Sequence, residues 1–161
     1  MAARRLYFAY GANLSEEAMH ERCPSLAARK LGAATLPDYR LEFCRDDNGF
    51  GIATIAPARG RQVLGGLWRI NRACLAILNI FEAYPRVYTQ KWVRVLYRGK
   101  TVSAMTYVLR DRRPAGGPDP DYLNTIRMGY RDFGLDDSDL ERAVQRSRRQ
   151  AARLRRWKLG R

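Results

Sequence analysis

Between residues 40 and 109 the chain returns again and again to short runs suited to β-strands. They are Arg40 to Cys44, Gly51 to Ala56, Val63 to Ile70, Lys91 to Tyr97 and Thr101 to Leu109. Neighbours are joined by turn residues, most tightly at Arg98-Gly99-Lys100. Links that short favour antiparallel pairing, because a parallel pair needs a crossover of a dozen residues or more. One helical pattern interrupts the series. Asn71 can cap a helix running to Phe81, and Leu75, Ile77, Leu78, Ile80 and Phe81 make it apolar on most faces, so it is predicted to be buried.

The two ends are more helical. Leu6 to Tyr10 reads as a strand that stops at Gly11, after which Asn13 opens a helix with Glu16 three residues on, the spacing of a capping box. After a loop rich in proline and glycine, Tyr122, Ile126, Tyr130 and Phe133 follow helical spacing, and Gly134 can close that helix. Ser138 and Glu141 form a second capping-box pattern, followed by an arginine-rich run. No internal repeat is present.

The 161 residues suffice for about one ordinary domain, and 46% hydrophobic residues suit a packed core rather than a disordered chain. Thirty Lys+Arg against sixteen Asp+Glu give a formal net charge of +14. Half of it falls in residues 138–161, where nine basic residues face two acidic ones. The chain is therefore read as a body, 1–137, and a basic helical tail, 138–161. Leu140, Val144, Ala151 and Leu154 give that tail a thin apolar stripe. A solvated helix docked along this stripe is the preferred reading over an arm that touches nucleic acid or an acidic partner.

Cys23, Cys44 and Cys74 are widely spaced and odd in number, and all three are read as free, mostly buried thiols. With no signal-peptide core and no apolar run of membrane-spanning length, a reducing cytoplasm is the default expectation and no membrane partner is expected. A metal is not expected either, since His20 is the only histidine and reads as a surface residue. It also has no nucleophile elbow to serve.

Three places could carry chemistry. Tyr10-Gly11-Ala12-Asn13-Leu14 sits where a strand hands over to a helix, and amides there lack partners inside the new helix, so the turn can cradle an anion. As a bare pattern it is equally a plain tight turn. Glu82 ends the apolar helix, with Leu78 and Leu75 behind it on the same face. Its carboxylate either lies along apolar surface, where burial and the negative helix end would raise its pKa, or swings out to water, and the residue pattern alone favours the second. Tyr88 and Tyr122 can pack a ring at a pocket edge while still donating a hydrogen bond.

Taken in order, Tyr10-Gly-Ala-Asn-Leu14 after an aromatic strand, Gly51-Ile-Ala-Thr-Ile55, Gly65-Gly-Leu-Trp-Arg-Ile70, Glu82 at a helix end, and Pro120-Asp-Tyr122 before Met128-Gly129 resemble the gamma-glutamylcyclotransferase family. The resemblance runs from about Leu6 to Leu135 and leaves out the basic tail. It implies an α+β fold, a small, mostly antiparallel barrel-like sheet flanked by helices. It further implies release of 5-oxoproline from a small gamma-glutamyl compound, without cofactor or metal. In that reading Tyr10, Gly11, Ala12, Asn13 and Leu14 hold the glutamyl moiety, Glu82 is the catalytic acid, and Tyr88 and Tyr122 line the pocket. Two departures stand out: Ala12 where the family commonly has Ser, and Ala83 where it often has Gly after the acid.

Overall fold

The computed structural model describes residues 4–161. Five strands, β1 (Arg5–Ala9), β2 (Ala28–Arg45), β3 (Gly51–Ile70), β4 (Tyr88–Tyr97) and β5 (Lys100–Leu109), close a barrel in the order β1-β3-β2-β4-β5. All neighbours pair antiparallel except β1 and β5, which meet in parallel with Tyr7 opposite Met105. Around the barrel lie α1 (Glu16–Arg22), α2 (Arg72–Phe81), α3 (Pro120–Asp132) and α4 (Ser138–Leu159). The fold is the expected α+β, mostly antiparallel barrel.

The strands are longer than the pattern predicts. Arg40–Cys44 is the end of an 18-residue β2 that begins at Ala28, and the two runs Gly51–Ala56 and Val63–Ile70 belong to one 20-residue β3. The first half of β2 escaped detection because Gly32, Pro37 and Asp38 are poor strand formers. They sit where the register with β3 shifts, between Lys30 and Gly32 and between Pro37 and Tyr39. Asp38 takes a positive φ of 61° there, and its carboxylate accepts the Gly60 N–H at 2.9 Å. Such bulges bend a strand, and the bent β2 reaches β4 at Thr35 and Leu96 while still pairing with β3. The β4–β5 hairpin closes through Arg98 and Gly99, both at positive φ, as a two-residue turn between paired strands requires.

Neither capping box forms. Ser15, not Asn13, caps α1 by accepting the Ala18 N–H at 3.2 Å, which leaves Asn13 buried and free for other partners. In α4 the Glu141 carboxylate is taken by Arg127 from α3, with bonds of 2.8 and 3.0 Å, so it cannot reach back to its own helix start. The Asn71 cap does form, on the Cys74 N–H at 2.9 Å. α2 itself is not buried on every face. Cys74 and Leu78 go into the core, but Ile80 and Phe81 are 78% and 57% exposed, because only one face of the helix meets the barrel.

Cys23 and Cys74 are not free thiols. Barrel closure brings the end of α1 beside the first turn of α2, with the two Cα atoms 5.3 Å apart, and the sulfurs are bonded. That distance suits a disulfide, but a separation of 51 residues hides the pairing from the sequence. The expectation of a reducing compartment rested partly on three free thiols, and this pair withdraws that support. Cys44 alone stays free, and burial pushes its thiol up to about 11.

The inner turns of α4 join the barrel's core through Leu140, Ala143 and Val144, with Ser147 buried beside them. Beyond Ser147 the contact thins. Arg148 still packs beside Gly117 and Ala151 of the expected stripe is half-buried, but from Arg153 on the helix is exposed, so Leu154, expected to dock, is 39% exposed. His20 is exposed, as expected, with its ring edge-on to Trp68.

One contact ties α3 to the segment after β1. A Cβ on Gly129 would lie 2.3 Å from the Leu14 Cβ and 2.6 Å from the Ser15 nitrogen, so the helix lies directly against the loop backbone. Gly129→Ala is therefore expected to cost about 1–3 kcal/mol, as overpacked sites do, with a thermal melt lowered by several degrees. An unchanged melting temperature would contradict this packing.

Candidate active site

The segment Tyr10–Leu14 leaves β1 and turns through a short 3-10 stretch, Ala12–Leu14. It is pinned at several points. The Leu14 N–H donates to the Gly11 carbonyl at 3.0 Å, and the Trp68 indole N–H donates to the Asn13 carbonyl at 3.1 Å. Leu14 itself is fully buried beneath α3. Among the described residues, the amides of Gly11, Ala12 and Asn13 have no protein acceptor. An added Cβ on Gly11 would sit 3.6 Å from the Tyr122 hydroxyl, which places the turn against that phenol.

Glu82 is the C-cap of α2, held by its own N–H to the Leu78 carbonyl at 2.9 Å. Its carboxylate does not swing out to water, and burial is the main influence on it, as the first of the two readings expects. It turns to the loop, where Oε1 accepts from Asn13 Nδ2 at 3.1 Å. The same Asn13 amide donates to the Tyr7 hydroxyl at 2.9 Å, and Asn13 Oδ1 accepts from Arg22. Arg22, at the end of α1, also lies over the Phe81 ring, 4.7 Å from its centre. Asn13 is thus a hub that joins loop, acid and arginine. Ala83 follows at a φ of 46°, a left-handed conformation that glycine adopts without steric cost, at the position where the resemblance implies a glycine.

Both tyrosines singled out in the sequence grip one residue, Ala53 of β3. Tyr88 donates to its carbonyl at 2.7 Å, and Tyr122 accepts its N–H at 3.0 Å. Tyr10 donates across the barrel to the Tyr107 carbonyl, and Tyr107 donates to Asn79 Oδ1 at 2.6 Å. The charge of Glu82 reaches five phenols, Tyr7, Tyr10, Tyr88, Tyr107 and Tyr122. Burial first, and that charge in addition, raise each of them, so all five stay protonated at neutral pH.

Burial likewise raises the Glu82 carboxyl above its ordinary value, while Arg22 and the Asn13 donor pull it back. The outcome is a carboxylate that is partly desolvated and still singly hydrogen-bonded, an arrangement suited to accepting and returning a proton. Sequence reading had singled out Glu82 and Asn13 but not Arg22, Tyr7 or Tyr107. Arg22 is one of 30 basic residues and carries no local signature. Tyr7 and Tyr107 look like ordinary strand residues until barrel closure brings their rings within 5.8 Å. Cleft size would point elsewhere, since hollows of about 500 and 480 Å³ lie beside α4, but neither contains a buried carboxylate.

Residues 7–125 match the family model described as gamma-glutamyl cyclotransferase, AIG2-like. A mouse gamma-glutamylcyclotransferase is 35% identical over 138 residues, covering 81% of this chain and 72% of the relative. The human gamma-glutamylcyclotransferase is 34% identical over the same extent. A solved structure described as a gamma-glutamyl cyclotransferase superposes with a TM-score of 0.76 at 31% identity, covering 89% of this chain and 86% of that one. The chain belongs to the gamma-glutamyl cyclotransferase, AIG2-like family and is an enzyme of that type. Among the described residues no helix is long and apolar enough to cross a membrane.

The raised Glu82 carboxyl has a consequence for stability. Between the ordinary glutamate value and the raised one, the folded chain holds a proton that the unfolded chain has released, so stability falls as pH rises through that window. Glu82→Gln removes the charge but keeps an acceptor for Asn13. The variant is expected to melt at a higher temperature than the native chain at about pH 8, with the difference shrinking by about pH 4, below the unfolded value. A variant that melts lower at both pH values would contradict the desolvation of Glu82.

Proposed function

We propose that the chain releases 5-oxoproline from a gamma-glutamyl amino acid, a gamma-glutamyl amine or a gamma-glutamyl-acylated small molecule, with Glu82 as the proton carrier. The reading rests above all on one observation, a partly desolvated carboxylate hydrogen-bonded to the loop that follows β1.

In the first step Glu82 takes a proton from the substrate's α-ammonium group, and the freed amine attacks the γ-carbonyl to close a five-membered ring. In the second step the protonated Glu82 returns its proton to the departing nitrogen as the amide bond breaks, and the second proton left on the ring nitrogen passes through the regenerated Glu82 carboxylate to the released amine, which leaves as an ammonium. One carboxyl group serves as base and then acid, and no proton is gained or lost over the cycle. Since nucleophile and carbonyl share one molecule, most of the work is conformational. Holding the glutamyl chain in an attack geometry can lower the barrier by roughly 7–11 kcal/mol.

The amides of Gly11, Ala12 and Asn13, which have no protein acceptor among the described residues, would hold negative charge on the substrate. That charge is either the α-carboxylate or the oxyanion developing at the γ-carbonyl. Ala12 lacks the hydroxyl of the commoner serine but keeps the amide, so the cradle survives the replacement. Tyr88 and Tyr122 would brace Ala53 as a wall of the pocket while their rings pack beside the glutamyl chain. Arg22 acts through Asn13 and limits how far the Glu82 carboxyl rises.

The test is 5-oxoproline release from a panel comprising a gamma-glutamyl amino acid, glutathione and a gamma-glutamylamine. Release by the native chain, reduced at least about 100-fold in Glu82→Gln with substrate binding retained, is the expected result. Equal turnover by the variant would remove Glu82 from the mechanism.

A further inference from the structure

We propose that α4 and the clefts beside it form a second functional surface, one that binds the phosphate backbone of nucleic acid independently of the Glu82 site. From Arg142 to Arg161 the chain has nine Lys or Arg residues and no acidic one. Eight of the nine are arginine, whose planar fork pairs with phosphate in two-point contacts. The basic run spans about 30 Å at the rise of a helix, a length suited to a linear polyanion rather than a single small anion.

The barrel extends this charge. The 500 Å³ cleft between α4 and the sheet is lined by five arginines, Arg40, Arg110, Arg112, Arg113 and Arg146, against two acids, Glu42 and Asp111. Arg40 and Arg113 are paired, with Glu42 and Asp47, while Arg110, Arg112 and Arg146 have no acidic partner among the described residues. Arg146 is partly buried and donates to the Leu41 carbonyl at 2.7 Å. Burial, and then the like charges of Arg40 and Arg61, lower its proton affinity, while Glu42 and Asp139 oppose them. On another flank of α4, Arg45, Arg148 and Arg155 outnumber the single acid, Asp119, in the lining of the 480 Å³ cleft. Basic residues therefore continue from the protruding helix into hollows on the body.

The partner's class follows from where the apolar residues lie. An interfacial membrane helix needs one continuous apolar face. Leu154 and Trp157 are one turn apart, but Leu159 stands about 140° around the helix from Leu154 at 3.6 residues per turn, so the outer part of α4 is cationic on every side. Trp157 is 56% exposed, and Arg161 lies over its ring, 4.0 Å from the centre. An exposed indole among arginines can stack on an unpaired base. An acidic protein surface would use the charge but not the stacking.

The experiment measures binding of the full chain to a fluorescent single-stranded RNA of about twenty nucleotides and to a DNA duplex of equal length, from 50 to 200 mM salt. Binding that weakens over this range by at least about 1,000-fold for the duplex, or about 300-fold for the single strand, is the expected result, as released counterions require for six or more phosphate contacts. Replacing Arg149, Arg153, Arg155 and Arg156 by Gln should weaken binding at least about 10-fold and flatten the salt dependence, with the thermal melt unchanged because these side chains are exposed. A second full-length variant, Arg110→Gln with Arg112→Gln, should weaken binding more mildly, and Trp157→Ala should weaken the single strand more than the duplex. The proposal is overturned by no binding at 50 mM salt, by salt-insensitive binding, or by binding that the arginine substitutions leave intact. Equal competition from polyglutamate, or binding confined to vesicles of phosphatidylcholine and phosphatidylserine, would overturn it as well. Glu82→Gln is expected to bind nucleic acid like the native chain, so this outcome and the cyclotransferase assay stand or fall separately.

Discussion

Taking a carboxylate out of water is costly unless something donates to it, and the region around Glu82 is arranged around that constraint. Asn13 supplies the donor, and Arg22 supplies a positive charge one residue further away. Five phenols fill the surroundings and remain protonated. A second acid would push Glu82 further toward the neutral form, and a direct ion pair with Arg22 would hold it ionised. The arrangement found, one neutral donor and a cation acting through it, leaves the carboxyl between those limits.

Much of the fold reads as support for that single contact. Asn13 and Glu82 come from segments 69 residues apart. The loop is clamped from one side by Trp68 of β3 and from another by α3, whose Gly129 lets the helix lie against the loop backbone. α2 is tied to the end of α1 by the Cys23–Cys74 bond, so the elements that carry Arg22 and Glu82 are covalently joined. A barrel of only five strands closes here because β2 and β3 are long and β2 bends at its bulges.

The legible parts of the sequence were those where local chemistry decides. The turn after Tyr10, the Asn71 cap, the Arg98-Gly99 hairpin and the end of α3 at Gly134 each follow from the preferences of one or two residues. Glu82 could be located at a helix end, but its orientation could not be read, because the donor that turns it inward lies on a different segment. The same holds for Arg22, Tyr7 and Tyr107, and for the disulfide, all of which depend on barrel closure. Both capping boxes failed for a related reason. Asn13 is needed by Glu82 and Glu141 by Arg127, so tertiary partners displaced the local ones. The first half of β2 was missed because its glycine, proline and aspartate serve the bend rather than the strand.

Glu82 keeps a proton affinity above that of an ordinary glutamate in the folded chain, because burial outweighs Arg22 and Asn13. The most direct measurement is a ¹³C NMR titration of glutamate side-chain carboxyls in the native chain, in Glu82→Gln and in Asn13→Ala. One resonance is expected to have a midpoint above the ordinary glutamate value, to be absent from Glu82→Gln, and to move to still higher pH in Asn13→Ala, where the donor is gone. A Glu82 resonance that titrates with the exposed glutamates, unmoved by the loss of Asn13, would contradict it.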